Sequence, residues 1–177
     1  MSRTKLFCAT LCVALVLGGC SGRSIGNKID DQFVAPDVER AIEKANKDLT
    51  SPSSHIVVSS YNGVILLAGQ TPRNELKETA ERAARTVQGV RNVHNELHIS
   101  APSSAVARSN DALLTTRIKT QMFADSNVPG SRIKVITENG IVYLLGLVTR
   151  AEANAATSLV QSVSGVQRIV RLFEYTD

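Results

Sequence analysis

The three histidines have the side chains in this sequence best suited to chemistry, since imidazole nitrogens bind metal ions and transfer protons near neutral pH. His94 and His98 lie four residues apart, which on a β-strand places them on one face but not side by side. His55 begins another predicted strand. A three-histidine metal site is conceivable, but the expected arrangement is three solvated imidazoles at strand edges. The sequence also has no Gly-x-Ser-x-Gly motif and no phosphate-binding glycine loop. We therefore expect no catalytic residue, no metal, no cofactor and no enzymatic activity.

Cys20 is the residue for which the sequence predicts a covalent modification. Residues 1–19 begin with two cations and continue in an apolar run, Leu6–Leu17, that is too short to span a bilayer. Such a segment is typical of a secretory signal peptide. The sequence Leu17-Gly-Gly-Cys20 resembles the bacterial lipobox, which implies that Cys20 is diacylated and becomes the new N-terminus. The alternative is an ordinary signal peptide with a chance cysteine.

The residue after the predicted cleavage site bears on the destination of the protein. Ser21, rather than aspartate, follows Cys20. By resemblance to the sorting rule of many Gram-negative lipoproteins, this implies the outer membrane. Cys8 and Cys12 leave with the signal peptide, so the mature chain has no free cysteine for a disulfide or a metal site.

The rest of the chain contains the same pattern twice. The segment 56–69 has Asn62-Gly63 at its centre, and the segment 133–146 has Asn139-Gly140 at the equivalent place. A constant offset of this kind indicates two copies of one fold unit. The repeated positions are turn residues and core aliphatics, which indicates a duplicated scaffold rather than a duplicated catalytic centre.

Each copy predicts the element order α-β-β-α-β. An Asn-Gly pair between two apolar runs is the strongest short signal for a hairpin, and it pairs residue 61 with 64 and residue 138 with 141. Helical periodicity precedes and follows each hairpin. We predict an α+β fold in which two helices cover a three-stranded mixed sheet in each copy. The predicted segments are a signal peptide (1–19), an acylated cysteine with a flexible tether (20–36), domain 1 (37–100), a linker (101–108) and domain 2 (109–177).

This ordered set of motifs is similar to the BON domain. The best-matching stretch runs from Thr137-Glu-Asn-Gly to Gly146-Leu-Val-Thr149, followed by Val163-Ser-Gly-Val166. Two such copies behind a lipobox resemble the dual-BON outer-membrane lipoproteins. The resemblance implies a non-enzymatic periplasmic module that binds phospholipid, supports envelope integrity and is associated with cell division.

The charge distribution argues against nucleic acid as a partner. Residues 37–100 hold eight cations and eight anions, and residues 109–177 hold seven and six. Neither copy has the concentrated basic stripe of a nucleic-acid-binding domain. The chain also has no tryptophan and few aromatic residues on which bases could stack.

One face of the second sheet is predicted to be apolar and not covered by its own helices. An exposed patch of this type usually marks an interface. We favour packing against the first copy or the linker; the other possibility is a surface for a protein partner or lipid. The residues are Ile136, Tyr143, Leu145, Val170 and Leu172.

The first helix of the second copy is the predicted lipid-binding element. Leu114, Ile118 and Met122 account for its core-facing stripe, which leaves cations beside apolar side chains on its flanks. A cation can meet a lipid phosphate while an apolar group enters the acyl margin. The predicted lipid-binding residues are Leu113, Thr116, Arg117, Lys119, Thr120 and Phe123. The alternative is a solvated amphipathic helix.

Two functional hypotheses follow. In the first, the acyl anchor holds the protein at the inner leaflet of the outer membrane, and domain 2 binds anionic phospholipid there, for which phosphatidylglycerol is the expected headgroup. In the second, the apolar sheet face of domain 2 docks an envelope assembly or division protein, and the protein is an adaptor.

The lipobox yields a direct prediction. Cys20→Ala should abolish acylation and leave the signal peptide uncleaved, because the thiol is the acceptor of the lipid. Labelling cells with radioactive palmitate and measuring the mass of the protein checks this. Absence of label from the wild-type protein would show that the lipobox interpretation is wrong.

Overall fold

The computed structural model describes residues 25–177. The signal peptide, Cys20 and the first part of the predicted tether lie outside the described residues. Each copy has the predicted order of elements. In the first copy these are α1 (Ile25–Ala45), β1 (His55–Tyr61), β2 (Val64–Thr71), α2 (Asn74–Arg85) and β3 (Asn92–Ile99). In the second they are α3 (Ala105–Ala124), β4 (Ile133–Glu138), β5 (Ile141–Val148), α4 (Arg150–Gln161) and β6 (Arg168–Tyr175).

The hairpin registers confirm the sequence prediction. Tyr61 pairs with Val64, and Glu138 pairs with Ile141. Asn62 and Asn139 have φ values of 53° and 49°, and each is followed by a glycine at positive φ, as a type I′ turn requires. The central strand of each sheet pairs antiparallel with the strand before it and parallel with the strand after its helix, so both sheets are mixed.

The start of α1 differs from the prediction. The sequence predicts a flexible tether as far as Pro36, whereas α1 begins at Ile25 and continues through Pro36. Proline removes one backbone hydrogen bond from a helix interior, because it has no N–H. Burial of Val34 offsets this loss: its side chain is 8% exposed and lies in the core of the first copy with Val38 and Ile42, one and two turns further on.

Two helix-to-sheet cores lie on the outer sides of the molecule. Ile65 and Leu67 face α1 and α2 in the first copy, and Val142 and Leu144 face α3 and α4 in the second. All four side chains are completely buried. Strands β2 and β5 are therefore central in their sheets and covered on the helix side.

A third apolar cluster lies between the two sheets. Tyr61, Leu66 and Ala68 of the first sheet pack against Tyr143 and Leu145 of the second. Ile136, Val170 and Leu172 pack against the same cluster. The five residues of the predicted interface face thus belong to, or pack against, a cluster shared with the first copy, as expected if that face packs internally. The layers follow the order α1 and α2, first sheet, second sheet, α3 and α4.

Polar contacts fix how the sheets stack. The Tyr61 hydroxyl donates to the Arg132 carbonyl oxygen at 2.8 Å and accepts from the Leu147 N–H at 3.2 Å. At the other end of β1, His55 Nε2 lies 3.3 Å from Glu138 Oε1. The end of β1 thus lies near the start of β4, and the start of β1 lies near the end of β4. The two strands are therefore antiparallel across the interface.

Substitution of the two tyrosines in the inter-sheet cluster tests how much the Tyr61 hydrogen bonds stabilise the protein. Tyr61→Phe keeps the ring but removes both bonds to the second copy, so the free energy of unfolding should fall by about 1–3 kcal/mol. Chemical denaturation followed by circular dichroism measures this. An unfolding free energy equal to that of the wild type would show that these bonds do not hold the copies together.

Tyr143→Phe is the matched control, because the Tyr143 hydroxyl is buried without a hydrogen-bond partner among the side chains of residues 34–177. At pH 7 we expect Tyr143→Phe to lower the free energy of unfolding by less than Tyr61→Phe does.

The stability of the wild-type protein should also depend on pH through Tyr143. Burial raises the pKa of Tyr143 from 10.0 to about 12; Glu96 raises it further, and Arg168 lowers it. The wild-type protein should therefore lose stability as pH rises from 10 to 12, since only the unfolded chain ionises there. Tyr143→Phe should remove that component.

Candidate functional site

Helix α3 begins earlier than the sequence predicts. Domain 2, which opens with this helix, is predicted to start at Ser109, but the helix begins at Ala105, where the Ser104 side chain accepts a hydrogen bond from the Ala107 N–H at 3.1 Å. Serine at the N-cap supplies an acceptor for one of the unpaired N–H groups at a helix start. The predicted linker 101–108 is correspondingly shorter. The predicted core stripe is confirmed, since Leu114, Ile118 and Met122 are all buried.

Asp111 holds α3 on the hairpin of its own copy. Its two carboxylate oxygens accept hydrogen bonds from the N–H groups of Asn139 and Gly140, at 2.8 and 2.9 Å. The side chain is buried, so both bonds are protected from water. The equivalent position in the first copy is Val34, which packs by apolar contact alone. The sequence analysis missed this role, although a lone aspartate on the core-facing side of a helix is a signal that could have found it.

The outward face of α3 is both apolar and cationic. Leu113 is 57% exposed and Phe123 is 65% exposed, and Thr116, Arg117, Lys119 and Thr120 are also exposed. Leu113, Arg117 and Thr120 follow one row of the helix, at i, i+4 and i+7. Thr116 and Phe123 lie seven residues apart on the neighbouring row, with Lys119 between them. The structure therefore places all six predicted lipid-binding residues on the solvent side of this helix.

Val106 extends this surface and was missed by the sequence analysis. It is 71% exposed and lies seven residues before Leu113, on the same side of α3. The earlier helix start brings it onto the face. We call the set Val106, Leu113, Thr116, Arg117, Lys119, Thr120 and Phe123 the α3 face.

The cations of the α3 face have no partners among the side chains that the structure describes, those of residues 34–177. Within that range, neither Arg117 nor Lys119 forms an ion pair or a side-chain hydrogen bond. The one carboxylate of α3 is Asp111, which is buried beneath the helix. An anion that approaches this face therefore meets cations without a competing exposed carboxylate from the same helix.

The helices of the first copy present the opposite pattern. Arg40 pairs with Asp37, and Arg85 pairs with Glu81 at 2.7 Å. The hydrogen bond from Arg85 holds the pKa of Glu81 below its usual value, and Asn95 adds to the effect. Charges neutralised in this way on α1 and α2 offer little attraction to an anionic surface.

A groove adjoins the α3 face. It has a volume of about 340 Å³ and is lined by Leu113, Arg117, the Asn139-Gly140 turn and Gly165. Arg117 thus lies at the border between the helix face and this groove, where its guanidinium can meet an anion beside the apolar Leu113 side chain.

The histidines lie apart from this site and from one another. His55 contacts Glu138, His94 lies 3.5 Å from Asn92, and His98 lies 3.3 Å from Arg168. Among the side chains of residues 34–177, no three of His, Cys, Asp or Glu are grouped as a metal site would require. The helices of the same part of the chain include none with the length and hydropathy needed to cross a bilayer.

The model of the BON domain family matches residues 30–101 and again residues 110–177. The chain belongs to the BON domain family. Both matched ranges contain the complete α-β-β-α-β order of one copy, so the duplicated scaffold is a pair of BON domains. From here on, residues 25–99 and 105–175 are called BON domain 1 and BON domain 2.

Three relatives resemble this BON protein over most of its length. Outer membrane lipoprotein DolP of Haemophilus influenzae is 40% identical over 174 residues, which cover 94% of this chain and 89% of the relative. The 21 kDa hemolysin of Actinobacillus pleuropneumoniae is 34% identical, with coverage of 86% and 78%. Osmotically-inducible protein Y of Escherichia coli is 30% identical, with coverage of 84% and 74%. The first of these relatives is named an outer membrane lipoprotein, and its similarity assigns this chain to the lipid-anchored outer-membrane proteins that face the periplasm.

The contact between Asp111 and the hairpin can be tested directly. Asp111→Ala leaves two turn N–H groups without their acceptors, one of them in the buried Gly140, so BON domain 2 should lose about 2–4 kcal/mol of stability. Hydrogen exchange of the Asn139 and Gly140 amides should accelerate at the same time. Asp111→Asn, which keeps one acceptor oxygen, should show an intermediate loss. Unchanged exchange in Asp111→Ala would show that the carboxylate does not hold the turn.

Proposed function

We propose that this protein is a non-enzymatic, lipid-anchored module that binds anionic phospholipid of the outer membrane through the α3 face and supports envelope integrity. The observation that carries the proposal is the composition of that face. Exposed apolar side chains and unpaired cations share one side of α3, and the carboxylate of that helix is buried. Phosphatidylglycerol is the expected anionic lipid.

The chemistry of the α3 face suits the headgroup boundary of a bilayer. Arg117 and Lys119 meet lipid phosphates, and each cation near an anionic membrane contributes roughly 1 kcal/mol. Leu113 and Phe123 lie about 15 Å apart along the helix and can enter the acyl margin together. Such contacts are individually weak, and their sum gives a free domain only modest affinity.

The acyl anchor compensates for the weakness of these contacts. Once Cys20 is inserted in the leaflet, binding of the α3 face becomes intramolecular and takes place at a high effective concentration. Affinity that would be inadequate in solution is then sufficient. Binding to the membrane therefore depends on the tethering by the anchor as well as on the chemistry of the α3 face.

The adaptor hypothesis has less support. Its docking surface was the apolar sheet face of BON domain 2, and Tyr143 and Leu145 on that face are fully buried against BON domain 1. A partner could reach them only after the two sheets had separated. Cross-linking in cells is the separate experiment that would identify a partner protein docked elsewhere.

The decisive experiment uses residues 21–177, without acyl chains, and vesicles that contain phosphatidylglycerol. Leu113→Ser, Arg117→Glu and Lys119→Glu are introduced together. These positions are exposed, so the fold should survive. Binding in a flotation assay should fall at least about tenfold, because two attractive charges become repulsive and an apolar contact is lost. The salt dependence of binding should also disappear, since the wild-type attraction is screened within about a Debye length.

A matched control changes the same number of charges on the opposite side of the molecule. Arg40→Glu with Lys44→Glu reverses two exposed cations of α1. This variant should bind vesicles within about twofold of the wild type, because net charge alone does not create the site. If the α3 variant remains folded and binds like the wild type, α3 is a solvated helix. The proposed function would then be wrong.

A further inference from the structure

A groove opens between α1 and the edge strand β1 in BON domain 1. It has a volume of about 230 Å³, and its apolar lining comes from α1, from β1 and from the segment that joins them: Ile42, Leu49, Ile56 and Val58. Because β1 is the first strand in the order of its sheet, it has β2 on one side only. This opening, which we call the β1 groove, therefore adjoins a sheet edge that a further strand can join.

The same two strand positions are closed in BON domain 2. Counted back from the Asn-Gly turns, Ile56 and Val58 correspond to Ile133 and Val135. Ile133 and Val135 are 4% and 3% exposed, whereas Ile56 and Val58 are only partly buried. The apolar surface at this edge is thus a property of BON domain 1 and not a requirement of the shared fold.

The backbone of β1 offers two residues to an added strand. Tyr61 closes the two-residue turn as part of a hydrogen-bonded pair, so every second residue before it also bonds to β2. The N–H and C=O groups of Ile56, Val58 and Ser60 therefore point to the opposite edge. There, the Ser60 carbonyl oxygen accepts a hydrogen bond from the Lys134 ammonium group at 3.1 Å. In the described part of the chain, no group occupies the outward N–H and C=O groups of Ile56 and Val58.

The rim of the β1 groove on the α1 side is acidic. Glu39 and Glu43 are exposed, lie about one helical turn apart and line the groove, and the described lining includes neither lysine nor arginine. Within residues 34–177, neither carboxylate forms an ion pair or a side-chain hydrogen bond. A complementary ligand therefore presents cations beside aliphatic side chains.

We propose that the β1 groove binds an extended, basic and aliphatic segment of another protein, which adds to β1 as an antiparallel strand. In antiparallel pairs, directly opposed residues exchange both hydrogen bonds and place their side chains on the same face. The two partner residues opposite Ile56 and Val58 thus insert their side chains into the groove, and aliphatic residues suit these positions. Lysine or arginine at the next positions of the same face suits Glu39 and Glu43.

This inference does not rest on the proposed function. The β1 groove belongs to BON domain 1, and the α3 face lies on the outer layer of BON domain 2, on the other side of the inter-sheet cluster. Lipid binding by the α3 face and strand addition at β1 therefore use separate surfaces, and each can fail without the other.

Peptides of defined sequence test the proposal with residues 21–177 without acyl chains. A fluorescent peptide Lys-Thr-Val-Thr-Leu-Thr-Lys presents valine and leucine on one face of a strand, with a lysine on either side. Its affinity, measured by fluorescence anisotropy, should be at least about tenfold higher than that of the same peptide with glutamate in place of both lysines. Hydrogen exchange of the Ile56 and Val58 amides should slow in the complex, because these N–H groups then donate to the peptide.

Methylation of the peptide backbone distinguishes strand addition from apolar contact and leaves the protein unchanged. Methylated valine and leucine nitrogens cannot donate to β1, so the affinity should fall at least about tenfold. Methylation of two threonine nitrogens affects groups that point away from β1. The affinity of that peptide should stay within about threefold of the unmethylated one.

Two pairs of substitutions locate the charge on the protein. Glu39→Gln with Glu43→Gln should weaken binding of the lysine peptide about three- to tenfold, because two attractions are lost. The matched control is Glu75→Gln with Glu78→Gln, which removes two exposed carboxylates of α2 and should change the affinity less than about twofold. Circular dichroism verifies that both variants are folded.

Three results would overturn the inference. The lysine peptide would then fail to bind, or bind no better than the glutamate peptide. Equal losses from the two methylated peptides would show apolar contact without strand pairing. Slowed exchange at another strand, with the Ile56 and Val58 amides unchanged, would place the peptide outside the β1 groove. Loss of vesicle binding in the α3 variant leaves all of these measurements unaffected, so failure of this inference and failure of the proposed function are distinguishable.

Discussion

Burial of two apolar sheet faces against each other is the interaction on which the rest of this structure depends. Each BON domain has fewer than eighty residues, and a domain of that size buries only a modest core of its own. Leu66 and Leu145 face away from their own helices, and both are completely buried because the other sheet covers them. If either copy stood alone, this face would be a large apolar patch exposed to water. The duplication is therefore a condition for the stability of both copies.

The same contact determines which surfaces remain for function. Once the sheets cover each other, the helices form the two outer layers of the molecule. The exposed surfaces of these two layers face opposite ways. Arg85 on one outer layer is paired with Glu81, whereas Arg117 on the other has no such partner in the described chain. The two copies have the same scaffold, but they offer different charges to their surroundings. This difference gives the molecule one cationic side and one neutralised side.

The two copies also hold their first helices by different means. Val34 docks α1 by apolar contact, whereas Asp111 docks α3 through two hydrogen bonds to the Asn139-Gly140 turn. Hydrogen bonds constrain direction more closely than apolar contacts do. Helix α3 is thus fixed in orientation relative to its sheet, which keeps the α3 face directed outward. Helix α1 has a proline in its middle and no equivalent polar attachment at Val34.

By itself, the sequence determined the element order, the hairpin registers and the core-facing residues. Asn62-Gly63 and Asn139-Gly140 permit a narrow choice of turn, and a register fixed by a two-residue turn decides which side chains share a face. The exposure of Leu113 and Phe123 followed from helical periodicity once Leu114, Ile118 and Met122 were assigned to the core. These are local properties, and local sequence is enough to determine them.

Only the tertiary structure decided features that depend on residues distant in sequence. Val34 makes the helix around Pro36 favourable through packing against the rest of BON domain 1, so the start of α1 could not be read from propensity. The same holds for the contact of Tyr61 with Arg132, because nothing local indicates which sheet face the other copy will cover. Whether an apolar face is an internal contact or a free surface depends on what covers it. That is decided by the arrangement of the two copies in space.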